Sequence, residues 1–547
     1  MKVGEAIAEI LKREGVEILF GYPVNHLIES AAAAGIRPII VRQERVGLHM
    51  ADAISRLTSG AKIGAFVMQH GPGSENAFGG VAQAFSESVP ILVMPMGYAR
   101  RLAQVSPNFN SVVSMRTVTK SAEAVLLAAE APTIFRRAFS RLRNGRGGPA
   151  LVEIPQDLFA EELPGPLAYE PVIAARYGPD AVDVRRAAAA LVDAKRPVIY
   201  AGQGIHWARA WEPLKRLAEL LAAPVATSLQ GKSAFPEDHP LSLGAGGHSF
   251  PTAVPYFLEK ADWIFGAGCS FTETHFGIAM PKGKKFVHAT LDPDHLNKDV
   301  RAKIGLIGDA KLTLEALCAE VERLGKKPRD SSHVAAEIAS VRKVWLDEWM
   351  PRLTSSDVPL SPYRVLWDLQ RTVDVNNTII THDAGSPSDQ LAPFWVSKKP
   401  LTYIGWGKTT QLGYGLGLAM GAKLAHPDKL CINVWGDAAI GFTGMDFETA
   451  VRERIPILSI LLNNFSMAME LPIMPISTEK YRSTDISGDY AAMARAFGGY
   501  GERVTEPDEI IPAIRRGIEQ TQKGVPALLE FITAKEIALS MRYHGNR

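Results

Sequence analysis

The chain has 547 residues, enough for roughly three or four domains of ordinary size. Apolar residues at 46% and charged residues at 22% allow sizeable cores, and a net charge of +2 without a long basic block leaves no footprint for nucleic acid. Three cysteines, Cys269, Cys318 and Cys431, are too few and too scattered for a disulfide framework or a zinc site, which fits a reducing cytoplasm.

MKVGEAIAEILKREG predicts an amphipathic helix at 3–14, too charged for a signal peptide, and no later stretch has the apolar length of a membrane span. A strand at 37–43 (RPIIVRQ), a helix near 46–58 and strands at 63–69 and 90–95 follow. Such alternation builds a parallel sheet covered on both faces. Glu44 sits at the end of the first strand, just ahead of the helix, among Val41, Val46 and Leu48. Partial desolvation there raises a carboxyl pKa and suits it to hydrogen-bond a ring nitrogen. Taken alone, Glu44 reads as a helix-start carboxylate favoured by the dipole.

The strand IGAFVMQ opens into HGPGSENAFGG. His70, at the strand end, could protonate a carbanion or orient an oxyanion, or be satisfied by loop backbone. Gln69, Glu75 and Asn76 share that ambiguity, and His49 reads as a packed interior residue. Pro164-Gly165-Pro166 begins a connector that runs to about 180. A second alternation follows through RPVIYAGQG, APVATSLQG, ADWIFGAG and KFVHATLDPD to a helix at about 310–323. The polar stretch from Gly325 to Ser332 and a lone helix near 334–350 lead into a third block. That block has strands at 377–382, 430–435, 457–462 and 526–532.

The third block carries the densest chemistry. LCINVWGDAAI and IPILSILLNN each close a buried strand, leaving Asp437 and Asn464 at the edge where open α/β sheets bind ligands. A carboxylate and an amide oxygen there suit Mg²⁺, which draws its other oxygens from phosphates. Gly436, Ala438, Ala439 and Gly441 are small enough for backbone N–H groups to approach a diphosphate. HDAGSPSDQ (382–390) opens a helix whose N–H groups point at an anion. FSMAMELPIMP follows Asn464 and, ending in proline, cannot extend far as a helix. Glu470, its one charge, has no evident task.

GDA and NN at this spacing resemble the thiamine diphosphate (ThDP) motif, with Ala438 where the second glycine stands. HGPGSENAFGG, SVPILVMPMGY, FGYPVNHL and GWGKTTQLGYGLGLAMGA are similar to further segments of the ThDP-dependent decarboxylase and carboligase superfamily, closest to its acetohydroxyacid synthase-like branch. The resemblance covers essentially the whole chain. It implies three doubly wound parallel-sheet α/β domains: pyrimidine-binding (1–165), central (180–330), and diphosphate- and Mg-binding (358–547). By the same resemblance Glu44 protonates the aminopyrimidine, while Asp437, Asn464 and the Ser466 carbonyl hold Mg²⁺.

Pro23, Gly385, Ser386, Pro387, Gln411, Leu412, Gly436, Ala438, Ala439, Met467 and Ala468 are then expected against the cofactor, and Gln69 and His70 in catalysis. Leu412 is either the wedge that bends ThDP or a helix-face core leucine. Met467, Met469, Leu471 and Ile473 would wall the substrate pocket, or each belongs to a plain core helix. Relatives carry FAD, ADP or CoA in the central domain. The arginine of their G-x-R segment is missing around Cys269, so FAD is allowed by the resemblance but not expected.

The implied activity is C–C cleavage or formation beside a carbonyl, a 2-keto acid decarboxylation with carboligation of the acetolactate synthase type. Two alternatives stay open. One is a 2-hydroxyacyl-CoA lyase or oxalyl-CoA decarboxylase relative, with Arg100, Arg101 and Lys232 as the basic groups for an acyl-CoA. The other is a non-catalytic ThDP-binding regulatory relative, suggested by Ala438. The resemblance further implies a homodimer or homotetramer with interface active sites, acting on a small molecule and on no nucleic acid or membrane.

Overall fold

The computed structural model describes residues 1–325 and 328–540, so part of the polar stretch after Gly325 and the last seven residues, 541–547, lie outside it. The described residues form three six-stranded, wholly parallel sheets flanked by helices. The first holds β1 (Ile18–Gly21), β2 (Arg37–Ile40), β3 (Gly64–Met68), β4 (Ile91–Gly97), β5 (Ser121–Ala124) and β6 (Ala150–Pro155), in spatial order 2-1-3-4-6-5. The second holds β7 (Pro197–Ala201), β8 (Val225–Ser228), β9 (Ser242–Gly246), β10 (Trp263–Ala267), β11 (Lys285–Thr290) and β12 (Ile304–Ile307), in order 12-11-10-7-8-9. The third holds β13 (Thr378–His382), β14 (Tyr403–Ile404), β15 (Leu430–Gly436), β16 (Leu458–Asn463), β17 (Tyr500–Val504) and β18 (Ala527–Ile532), in order 14-13-15-16-18-17.

Central strands such as β3, β4 and β7 are buried along their whole length, which is why they read as unbroken apolar runs. The predicted helices at 3–14, 310–323 and 334–350 appear as Val3–Arg13, Ala310–Arg323 and Ser332–Leu353. Glu44 departs from its expected setting. The strand ends at Ile40, and Glu44 is the first residue of the helix Glu44–Leu57. The cause is a partner distant in sequence: the Arg42 N–H donates to the Asp446 carboxylate at 2.8 Å, not to a strand, so the chain leaves the sheet early.

Contacts gather the chain into two compact units. One comprises residues 1–175, 413–428 and 443–457, and so adds two later segments to the first sheet. Within it the helix Tyr414–Ala425 lies directly on the helix Glu44–Leu57. A Cβ on Gly417 would stand 2.5 Å from His49 Cβ, and one on Gly421 would stand 2.5 Å from the Met50 carbonyl. At this contact Arg56 donates to Asp52 at 2.8 Å and to the Tyr414 hydroxyl at 2.7 Å. Burial opposes the Arg56 charge, but Asp52 outweighs it and holds the guanidinium protonated. His49 is buried, edge-on to Tyr414, the interior role expected of it.

The other unit, residues 176–412, 429–442 and 458–547, carries the second and third sheets. Here the buried Lys232 ammonium donates to both Glu237 oxygens at 2.6 and 2.7 Å and to the Trp395 carbonyl at 2.7 Å. A buried charge is tolerable only when paired in this way. Among the described residues no helix is long and apolar enough to cross a membrane.

Candidate cofactor and metal site

The third sheet reverses its winding between β13 and β15, and ligands of open α/β sheets settle at the carboxyl ends of strands beside such a point. A cleft with about 580 Å³ of empty space, open solvent included, lies there. Residues just beyond four neighbouring strands line it: Ala384 and Gly385 after β13, Asp437 after β15, Asn464 after β16 and Thr533 after β18.

Asp437 is the most constrained group in this cavity. Its Oδ1 accepts the Ala438 N–H at 2.9 Å, and its Oδ2 accepts the N–H groups of Asn464 at 3.2 Å and Ser466 at 3.1 Å. Burial pushes the carboxyl above its ordinary value, and these N–H donors pull the other way without fully offsetting it. A cation in front of Asp437 would favour the charged form. The loop that brings Asn464 and Ser466 round turns through Phe465, held in a left-handed conformation at φ 57. A bulky residue there is costly and persists only where its surroundings insist on it.

The two asparagines have separate tasks. Asn463 is buried and donates to Glu530 at 2.7 Å while its Oδ1 accepts the Phe465 N–H at 3.0 Å, so it braces the loop. Asn464 lines the cavity, with its Oδ1 accepting the Ser466 N–H at 2.9 Å and a second lone pair to spare. Ser466 Oγ is buried with no hydrogen-bond partner among the described residues. An acidic oxygen, an amide oxygen and a half-satisfied serine around one point form a hard, oxygen-donor setting suited to a divalent cation that shares its shell with phosphate.

Opposite, Gly385 adopts φ 80 and ψ −158, a conformation only glycine takes comfortably, and so delivers the chain into the short helix Ser386–Leu391. Pro387, Leu412, Ala438, Ala439, Met467, Ala468 and Met469 complete the wall. Leu412 precedes the helix Tyr414–Ala425 and faces the cavity, so it is not a helix-face leucine. Ala438 occupies ordinary negative-φ backbone and contributes its N–H, so a glycine is not required there. Gln411 and Leu471 fall outside the lining. Ile473 is 78% exposed and does not wall the pocket, because the chain turns outward beyond the 3-10 turn Ala468–Glu470. Thr533 and Pro362 line the cavity without having been singled out, although Thr533 follows a strand ending at the same edge.

The first unit has its own cluster. Glu44 is 5% exposed, and burial raises its carboxyl pKa while hydrogen bonds from its own N–H and from Asn76 oppose the rise. A Cβ on Gly73 would meet Gln69 Cβ at 3.0 Å and Glu44 Oε1 at 3.5 Å, so Gln69 and Glu44 flank one small gap. His70 stacks on Tyr98 with ring centroids 4.3 Å apart, and its Nδ1 is buried with no partner among the described residues. Pro23 is exposed, beside Val24 at φ 103.

Three family models match the chain in order. They are the thiamine pyrophosphate enzyme N-terminal TPP binding domain over residues 1–115, its central domain over 184–317 and its C-terminal TPP binding domain over 383–531. The chain is 29% identical to a probable acetolactate synthase large subunit of Methanocaldococcus jannaschii, over 100% of this chain and 94% of that protein. It is 29% identical to acetolactate synthase isozyme 3 large subunit of Escherichia coli, over 95% and 92%. Glyoxylate carboligase of Escherichia coli O157:H7 is 27% identical, over 99% and 94%.

Proposed function

Since this chain belongs to the thiamine pyrophosphate enzyme family, we propose that it decarboxylates a 2-keto acid with ThDP and Mg²⁺ and passes the remaining acyl unit to a second reactant, in the manner of acetolactate synthase. The observation that carries the reading is the Asp437 carboxylate, fixed by three backbone N–H groups beside Asn464 and the unpartnered Ser466 hydroxyl. ThDP supplies a carbon nucleophile for the substrate carbonyl and a sink for the electron pair that cleavage leaves behind.

Asp437, the Asn464 amide oxygen and the Ser466 carbonyl would hold the metal. The Gly385–Pro387 turn and the Ala439 backbone would take the diphosphate, the Ala438 N–H being held by Asp437. Leu412 would lie under the cofactor as an apolar support. Glu44, desolvated and held by its own N–H and by Asn76, is suited to exchange a proton with a ring nitrogen. Gln69 and the stacked His70 are placed to orient or protonate an oxygen in the same region of the first unit. From the resemblance to the family, we assign Glu44 and Asp437 to one cofactor shared by two copies of the chain, Glu44 from one and Asp437 from the other.

An acyl-CoA substrate finds little support. Arg100 is engaged by Asp157 and Glu161, and Lys232 is buried against Glu237, so of the three basic groups only the exposed Arg101 is left for CoA phosphates. A non-catalytic role loses its one sequence argument, since Ala438 works through its backbone.

Binding calorimetry tests the reading. ThDP should bind with Mg²⁺ present and lose at least about a hundred-fold in affinity when EDTA removes the ion. Equal binding with and without the metal would overturn it.

A further inference from the structure

β18 reads ALLEFI, an apolar strand with a single charge, Glu530, whose side chain is fully buried. Its carboxylate is saturated with donors. Oε1 accepts Asn463 Nδ2 at 2.7 Å and Arg503 Nη2 at 3.1 Å, while Oε2 accepts the Ala491 N–H at 3.0 Å and Arg503 Nε at 3.2 Å. Arg503 stands directly across from Glu530 on β17, and this side-on pairing balances a charge that would otherwise be costly to bury. The same guanidinium reaches the Gly488 carbonyl at 3.3 Å and Asp489 at 3.4 Å. One carboxylate thus ties together the end of β16, β17 and the start of the helix Tyr490–Ala496.

Those ties converge on the loop that carries Asn464 and Ser466. Glu530 only accepts, so it leaves Asn463 one amide orientation, with Nδ2 toward the carboxylate and Oδ1 toward the loop, where it takes the Phe465 N–H at 3.0 Å. Phe465, at φ 57, is the turn that brings the Asn464 and Ser466 N–H groups onto Asp437. From the other side, the segment ahead of Tyr490 pairs with the same loop. The Ile486 N–H donates to the Phe465 carbonyl at 3.0 Å, and the Met467 N–H donates to the Thr484 carbonyl at 2.8 Å.

Resting on the reading of Asp437, Asn464 and Ser466 as the metal end of a ThDP site, we propose that Glu530 is the positioning residue of that end. Acting through Asn463 and Phe465, it sets the Mg²⁺ affinity of the loop without touching the ion, and Arg503 holds it in that task. Glu530→Gln keeps the shape of the side chain, but its NH₂ group meets either Asn463 Nδ2 or the Ala491 N–H and Arg503, donor against donor. Relief of that clash turns the Asn463 amide over, and the Phe465 N–H loses its acceptor. A left-handed residue without its anchor relaxes, and the Asn464 oxygen and Ser466 carbonyl shift with it. Groups that orient metal ligands from behind are worth about 10–100-fold in metal affinity.

The test titrates Mg²⁺ into the full chain in the presence of excess ThDP and follows binding by calorimetry. Glu530→Gln should weaken Mg²⁺ binding by about 10–100-fold. Arg503→Lys alters the partly exposed end of the pair, keeping the charge but losing the fork, and should weaken Mg²⁺ binding in the same direction by a smaller factor. Melting temperatures of the metal-free proteins supply the control. A variant that melts lower yet binds Mg²⁺ as the wild type does would make the pair a plain structural one and overturn the proposal. Where Glu530→Gln fails to fold, Arg503→Lys decides alone, and unchanged Mg²⁺ affinity there would overturn it equally. Failure of the wild type to bind ThDP with Mg²⁺ would instead strike the family-level reading on which this inference rests.

Discussion

The first and third sheets are wound alike, in the orders 2-1-3-4-6-5 and 14-13-15-16-18-17, yet the buried carboxyl groups that open the helices after β2 and β15, Glu44 and Asp437, are held differently. Asp437 faces three backbone N–H donors that fix both oxygens. Glu44 is comparably enclosed but has one side-chain donor, Asn76. Backbone donors stabilise an ionised carboxylate and hold it still, as a metal ligand requires. A buried carboxyl with fewer donors, one backbone N–H and Asn76, keeps its proton more exchangeable, which suits the acid–base role proposed for Glu44. What separates the two roles is the supply of N–H groups, set by the loops and not by the sheet.

That contrast can be broken from either side. The largest effect is expected from Asp437→Ala, which removes the fixed carboxylate: ThDP retention with Mg²⁺ present should disappear in calorimetry, and near-normal affinity would sink the metal assignment. Glu44→Gln should do the reverse. ThDP stays bound, because the amide still hydrogen-bonds, while proton exchange at the thiazolium carbon slows by roughly 10²–10⁴-fold. An unchanged H/D exchange rate removes Glu44 from the chemistry.

Asp446 sharpens the comparison as a buried carboxyl with a purely structural task, since it accepts the Arg42 N–H at 2.8 Å and the Thr449 hydroxyl at 2.8 Å. Burial pushes it up to about 6. Because the folded value lies above the unfolded one, its contribution to stability is fully present below the ordinary value of 3.8 and is lost as pH rises through about 6. Asp446→Asn should therefore flatten this part of the pH–stability profile and stabilise the protein at pH 8 by about 1–3 kcal/mol. An identical profile in urea titrations at pH 5 and 8 would contradict it. The smallest effect is expected at Val24, a β-branched residue at φ 103. Val24→Gly should release strain and, after the entropic cost of glycine, raise stability by up to about 1 kcal/mol. A lower melting temperature would argue against strain there.

Much of this was legible before any coordinates. The three-sheet architecture followed from apolar strands buried on both faces, and the Asp437 and Asn464 motif located one end of the site because both residues close such strands. Short or polar strands gave weaker signals: β14 has two residues and β5 reads SAEA, so neither carries a periodicity. Residues fixed by long-range partners were harder still. Nothing local told Asn463 from Asn464; the difference is Glu530, 67 positions away. Lys232, a candidate basic group for an acyl-CoA in the sequence, is enclosed by Glu237 and by Trp395, 163 positions away. The early end of β2 depends on Asp446, 404 positions from Arg42.

The central claim is that Glu44 and Asp437 serve one cofactor from two copies of the chain, and mixing inactive variants tests it most directly. Glu44→Ala and Asp437→Ala chains, each silent alone, are combined under conditions that exchange subunits. A mixed pair then carries one intact and one doubly damaged site, so activity should return to about a quarter of the wild-type level per chain. A mixture that stays silent, with mixed pairs shown to be present by native mass spectrometry, would contradict the account.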